Sequence, residues 1–248
     1  MTKIICNFCN KYFGIKTIVN HLPECITSNV KDESGFLIEF KSTSILTNKI
    51  YTMYAIFGNK CKLIHIDHFL REKWCECCGH LSTIEEVGKV DSYSDNDSEN
   101  YNGINYNTLI SKYEKDKELC YSYDMGTTTI IYFRIIKKLN GKKKDNNVKL
   151  IYQNEEFKLK CKNHKTCKGE AKFIHNDYLF CIECKNIILN TNEDHYESKF
   201  VNIVNSPRTG LCDYGYKEDE EDDKDDKDDK DNNDIKITNE SIKLNHQT

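Results

Sequence analysis

The sequence predicts an α+β protein: a small cysteine-bearing finger, a central block of strands with one main helix, a second ribbon-like cysteine module and an acidic tail. Three observations lead there. Residues 48–153 are dominated by β-branched and aromatic runs with a single short helical pattern among them. The thirteen cysteines of the 248-residue chain fall largely in C-x-x-C or C-x-x-H pairs. Residues 217–234 are almost wholly charged. The hydrophobic share is 38%, below the roughly 45–50% of an ordinary globular chain, so part of the sequence must lie outside any packed core.

The first element is "CNFCNKYFGIKTIVNHLPEC", within a module assigned to residues 1–28. Cys6 and Cys9 form a two-residue knuckle, and His21 and Cys25 stand at i and i+4 of a predicted helix. A knuckle on a turn and such a pair on one helix face can converge on one tetrahedral ion. Phe13 and Ile18 occupy the places where a small finger keeps its core side chains, and Pro23 is expected to end the helix in its last turn. The module resembles the Cys-Cys-His-Cys zinc-finger family. The positions with which DNA-reading fingers contact bases correspond to Gly14, Thr17 and Asn20, a poor set for base recognition.

The central block, residues 48–153, opens with the strand "YTMYAIF". The helix "IDHFLREKW" follows, with Ile66, Phe69 and Leu70 on one face. "HLSTIEEV" is the next strand, and the Asn/Asp/Ser-rich segment within 88–107 reads as a mobile loop. "TTTIIYFRIIKKLNGKKKDNNVKLIYQ" predicts a hairpin turning at Asn140-Gly141. Its residues 134–149 carry Arg134, Lys137, Lys138, Lys142, Lys143, Lys144 and Lys149. A basic tip at Lys142, Lys143 and Lys144 is the one candidate for gripping nucleic-acid phosphates without reading sequence.

Between 155 and 216, Cys161 and His164 form one knuckle and Cys181 and Cys184 a second, a ribbon-like set for another zinc. Cys167 competes with His164 for the fourth position, and His175 and His195 are further alternatives. Zinc, about two ions per chain, is therefore the expected cofactor. The final segment, 217–248, contains twelve acids and four lysines in residues 217–234. Such a run cannot bury enough apolar surface to order itself, so a disordered tail is expected.

The densest sulfur cluster is "KWCECCGHLS", with Cys75, Cys77, Cys78 and His80. Adjacent Cys77 and Cys78 diverge, the cluster follows a helix instead of opening one, and Trp74 and Leu81 flank it. The expectation is a buried corner in which free cysteine packs as a small hydrophobe, with Gly79 as the helix stop.

Three ordered segments, "IDHFLREKWCECCGHLSTI", "CYSYDMGTTTIIYFRII" and "IVNSPRTGLCDYGY", resemble a family of uncharacterised proteins with a plasmid ORF-three-like domain, often labelled a transposon passenger. The resemblance covers about residues 51–216. It implies an α+β fold and a zinc module, and supplies no activity.

No nucleotide-binding, metalloprotease or hydrolase motif is present. "YDMGTTT", with Asp124, Gly126 and Thr127, reads as a bend, and Arg208 as a contact to backbone carbonyls or an anion-binding residue. The sequence thus favours a non-enzymatic zinc-binding adaptor with a protein partner. The alternatives are nucleic-acid binding through the basic tip and an enzyme with its site around Asp124, Cys78 and His80. Paired thiols suit a reducing intracellular compartment, cytoplasmic or nuclear. No stretch approaches the roughly 20 apolar residues of a membrane span, so no membrane partner is expected.

Overall fold

The computed structural model describes residues 3–6, 8–30, 33–75, 79–88, 103–141, 147–162, 167–191, 200–215 and 237–238. The chain opens with two short strands, β1 (Lys3–Ile5) and β2 (Tyr12–Gly14), paired antiparallel with Ile4 opposite Phe13, and runs into helix α1 (Ile15–Asn29). Then come β3 (Ser34–Thr43), β4 (Ile50–Phe57) and α2 (Leu63–Leu70), which continues as a π-helical turn at Arg71–Cys75. Strands β5 (Ser82–Glu86), β6 (Glu118–Tyr123), β7 (Thr129–Asn140) and β8 (Val148–Gln153) follow. The last elements are β9 (Phe173–His175), β10 (Tyr178–Phe180), α3 (Ile182–Thr191), β11 (Val201–Asn202) and β12 (Ile237–Thr238).

The fold is α+β, built on one mostly antiparallel sheet in the order β12-β8-β4-β3-β7-β6-β5, with only the β12–β8 pair parallel. A separate three-stranded sheet, β10-β9-β11, accompanies α3. Strand alternation sends Phe36, Ile38, Phe40, Met53, Ala55 and Phe57 to one face, where Ile66, Phe69, Leu70 and Trp74 of the α2 segment cover them. Leu37, Tyr54, Ile56 and Leu139 cluster instead with Ile18, Leu22 and Ile26 of α1. Helices on both faces explain why β3 and β4 are buried almost continuously and do not alternate with polar residues. The buried carboxylate of Glu39 on β3 accepts from Tyr54 Oη at 2.5 Å and Arg134 Nε at 2.9 Å, and Lys41 Nζ lies 2.9 Å away.

Ile66, Phe69 and Leu70 share the buried face that their spacing predicts. Elsewhere the structure departs from expectation. The sheet begins at Ser34, ahead of the block assigned to 48–153. β7 and β8 do not form a hairpin, because β3 and β4, paired with each other, stand between them. Two of the cations counted along the predicted hairpin lie beside acids, Arg134 of β7 against Glu39 and Lys149 Nζ of β8 3.3 Å from Glu33. Pro23 does not end α1. Leu22 and Ile26, buried on the sheet, carry the helix through to Asn29, and the Pro23 carbonyl accepts the Thr27 hydroxyl. Of the tail assigned as disordered, Ile237–Thr238 pair with Val148 and Lys149 at the sheet edge. Most of the predicted loop 88–107 and residues 216–236 lie outside the described residues. No helix among the described residues is long and apolar enough to cross a membrane.

Candidate metal centres

The first centre grows out of β1, β2 and α1. Cys6 donates its N–H to Lys11 O at 2.9 Å, and Asn10 N returns to Cys6 O at 2.7 Å. Asn10 takes a positive φ of 56° there, which an asparagine tolerates. That tight turn brings Cys6 and Cys9 against the middle of α1, Cys6 toward Cys25 and Cys9 toward His21. Phe13 stacks on His21 with ring centroids 4.0 Å apart. The donor atoms of Cys6, Cys9, His21 and Cys25 then all lie within 4.8 Å of one another.

The edge lengths carry chemical information. Around a tetrahedral ion with Zn–S of about 2.3 Å and Zn–N of about 2.0 Å, neighbouring sulfurs lie about 3.8 Å apart, and sulfur and nitrogen about 3.5 Å. Cys6 Sγ to Cys25 Sγ measures 3.7 Å and Cys9 Sγ to His21 Nε2 3.3 Å. Burial is the foremost influence on the Cys25 thiol, and with the Cys6 and Cys9 thiols alongside it pushes that thiol up to about 12. Several thiols in one half-buried cluster resist ionising together unless a cation joins them.

The second centre lies where the β9–β10 unit meets α3. Cys181 and Cys184 flank the start of α3, with Lys185 N bonded back to Cys181 O at 3.0 Å. Cys161 N donates to Gly169 O at 2.9 Å and brings the 161–169 segment alongside. Cys167 Sγ stands 3.7 Å from Cys181 Sγ and 3.6 Å from Cys184 Sγ, and Cys161 completes a tetrad within 4.8 Å. Gly169 permits the approach: a Cβ there would sit 2.8 Å from Cys181 Sγ. Among the described residues the fourth donor is therefore Cys167. His164 lies outside the described residues, as does His195, and His175 is not in the tetrad, stacking instead on Phe200 at 4.6 Å.

A third cluster brings together residues from three distant segments of the chain. His80 Nε2 lies 3.2 Å from Cys212 Sγ and 3.6 Å from Asp124 Oδ2. Asp124 sits in the bend between β6 and β7 at φ 63°. Its Oδ1 accepts Gly126 N at 2.9 Å, and its Oδ2 accepts Thr127 Oγ1 at 2.6 Å and Arg208 Nη2 at 2.6 Å. Burial alone would raise the Asp124 carboxyl, but those hydrogen bonds outweigh it and hold the group well below the carboxylate range. Arg208, wholly buried, also donates to Thr127 O at 3.0 Å, the backbone contact its turn suggested.

Sulfur-rich residues 75–80 are only partly the packed corner that was expected. Cys75 and Trp74 are buried, but Leu81 is 78% exposed. It precedes β5 on the parity of exposed Glu85, opposite buried Ile84. Cys77 and Cys78 lie outside the described residues, as do Lys142, Lys143 and Lys144. The place of Cys212 was not read from the sequence, although "SPRTGLC" was in view. Its signal is a cysteine four residues after an arginine that burial fixes in place.

No family model matches the chain, and no curated protein does. Among solved structures it is similar to a crystal structure titled a protein of unknown function from Methanosarcina mazei, at 15% identity and a TM-score of 0.37. That match covers 48% of this chain and 67% of the other.

Proposed function

We propose that this chain is a non-enzymatic zinc-binding interaction protein, in which two structural ions, about two per chain, hold its peripheral modules. The observation that carries this reading is closure. Each tetrad brings four cysteine or histidine donors within 4.8 Å of one another, and one ion bound by all four would have no coordination position left for a substrate. Thiolate and imidazole donors select zinc over harder cations. A protein partner fits the exposed strip on β7, where Ile130 and Tyr132 are 43% and 42% exposed.

Native mass spectrometry and metal analysis test the reading after dialysis against a weak chelator. Two zinc ions should remain, and Cys6→Ala and Cys181→Ala should each remove one. Full-length folded protein that retains no zinc under those conditions would overturn it.

A further inference from the structure

We propose that His80, Asp124 and Cys212 form a third metal site, distinct from both tetrads, for a divalent cation of the zinc class. The argument starts from which atoms converge. In a nucleophilic cysteine–histidine–aspartate arrangement the thiol and the carboxylate occupy opposite ring nitrogens. Here both face one nitrogen, His80 Nε2, at 3.2 and 3.6 Å. Neighbouring donors on a tetrahedral zinc stand about 3.3–3.5 Å apart for these element pairs, and all three donor atoms lie within 4.8 Å of one another, close enough to share one ion.

Each donor is held before any ion arrives. The N–H of His80 donates to Tyr123 Oη at 3.2 Å, while its carbonyl accepts Arg71 Nη2 at 2.9 Å. Arg71 is itself fixed by Asp67 through Nε at 2.9 Å, and Asp67 also accepts Ser82 and Tyr121. Tyr123 lies between two guanidiniums, Arg71 at 5.0 Å and Arg208 at 4.9 Å from its ring centre. Cys212 adopts left-handed backbone angles, φ 48° and ψ 45°, an uncommon state for a cysteine. A carboxylate has about four acceptor positions. Gly126 on Oδ1 and Thr127 and Arg208 on Oδ2 take at least three of those on Asp124 and fix the orientation of its carboxylate.

The charge balance separates this site from the tetrads. Four thiolates would surround an ion at Cys161, Cys167, Cys181 and Cys184. The third site brings one thiolate and one carboxylate, and Arg208 at 2.6 Å from Asp124 returns a positive charge. Its ion is therefore held less tightly and stays more electrophilic. With Cys212 exposed, a water or a small anion can complete the coordination.

The test uses the full-length chain freed of weakly held metal by dialysis, with both tetrads still loaded. Titration with zinc, or with cobalt for its thiolate-to-metal absorption, should reveal one further, exchangeable equivalent. Cys212→Ser and His80→Ala should each abolish it, while Cys6→Ala and Cys181→Ala leave it in place. In the unmodified protein, zinc should slow alkylation of Cys212 by at least about tenfold, because a coordinated thiolate is no longer a free nucleophile. This second readout needs no variant to fold. No extra equivalent, or a Cys212 alkylation rate indifferent to zinc, would overturn the site without touching the tetrads.

Discussion

Glu39 shows what one buried acid asks of its neighbours. On burial alone its carboxyl would rise, but hydrogen bonds from Tyr54 and Lys41 and the charges of Lys41 and Arg134 bring it below its ordinary 4.5. A group depressed in the folded state stabilises that state above its unfolded value and loses the contribution as pH falls. The thermal midpoint should therefore drop below about pH 4.5, and Glu39→Gln should remove that acid-linked part. Asp124 has a harsher dependent. Asp124→Ala leaves the Arg208 charge buried without its ion pair, which should cost about 3–5 kcal/mol in urea unfolding. Gly169→Ala drives a methyl against Cys181, and zinc competition with a chromophoric chelator should show a 10–100-fold loss of affinity at the second tetrad, about the effect of disturbing a ligand's support.

At the scale of elements, the pieces that carry the two candidate tetrads differ in how much else holds them. β1 and β2 are three residues each, and β9, β10 and β11 no longer. Such strands cannot persist alone. Chelation should strip hydrogen-exchange protection from β1–β2 and from β9–β10, while β3, β4 and β7 keep theirs. The second half of α1 should also stay protected, because Leu22 and Ile26 rest on the sheet without any ion. The same elements show what the sequence could and could not reveal. The knuckle, the i, i+4 pair and the face of α2 depend on spacing within one segment, and were legible. β3 was missed although "GFLIEF" is apolar on both faces, since a strand buried on both sides lacks the alternation that marks a half-buried one. Asn140-Gly141 was over-read, because a turn signal says nothing of a competing partner for the strand before it. Cys167 was legible as a candidate, and Cys212 was not, because its partners lie 88 and 132 residues away.

Across the whole molecule, the segment after β11 closes the structure from outside the sheet. Ser206 Oγ donates to Trp74 O at 2.7 Å, and Arg208 reaches Asp124 across 84 residues. Truncation after residue 200 should therefore destabilise the large sheet itself, and a chain ending at 216, which loses only the two-residue edge strand β12, should suffer far less. Thermal melting of the two truncations decides it. If both melt together, the segment is an appendage to the second module.

The position of β7 beside β3, far from β8, also governs how the chain leaves the ribosome. A nascent chain that has emerged as far as Tyr123 holds β3 and β4 as a ribbon apolar on both faces, and its two outer edges wait for residues 129–153. Contacts so distant in sequence are closed late, after the entropy of the intervening loops has been overcome. The most hydrophobic part of the protein is thus made early and sheltered late, which makes stalled or truncated chains of this protein natural clients for a holding chaperone.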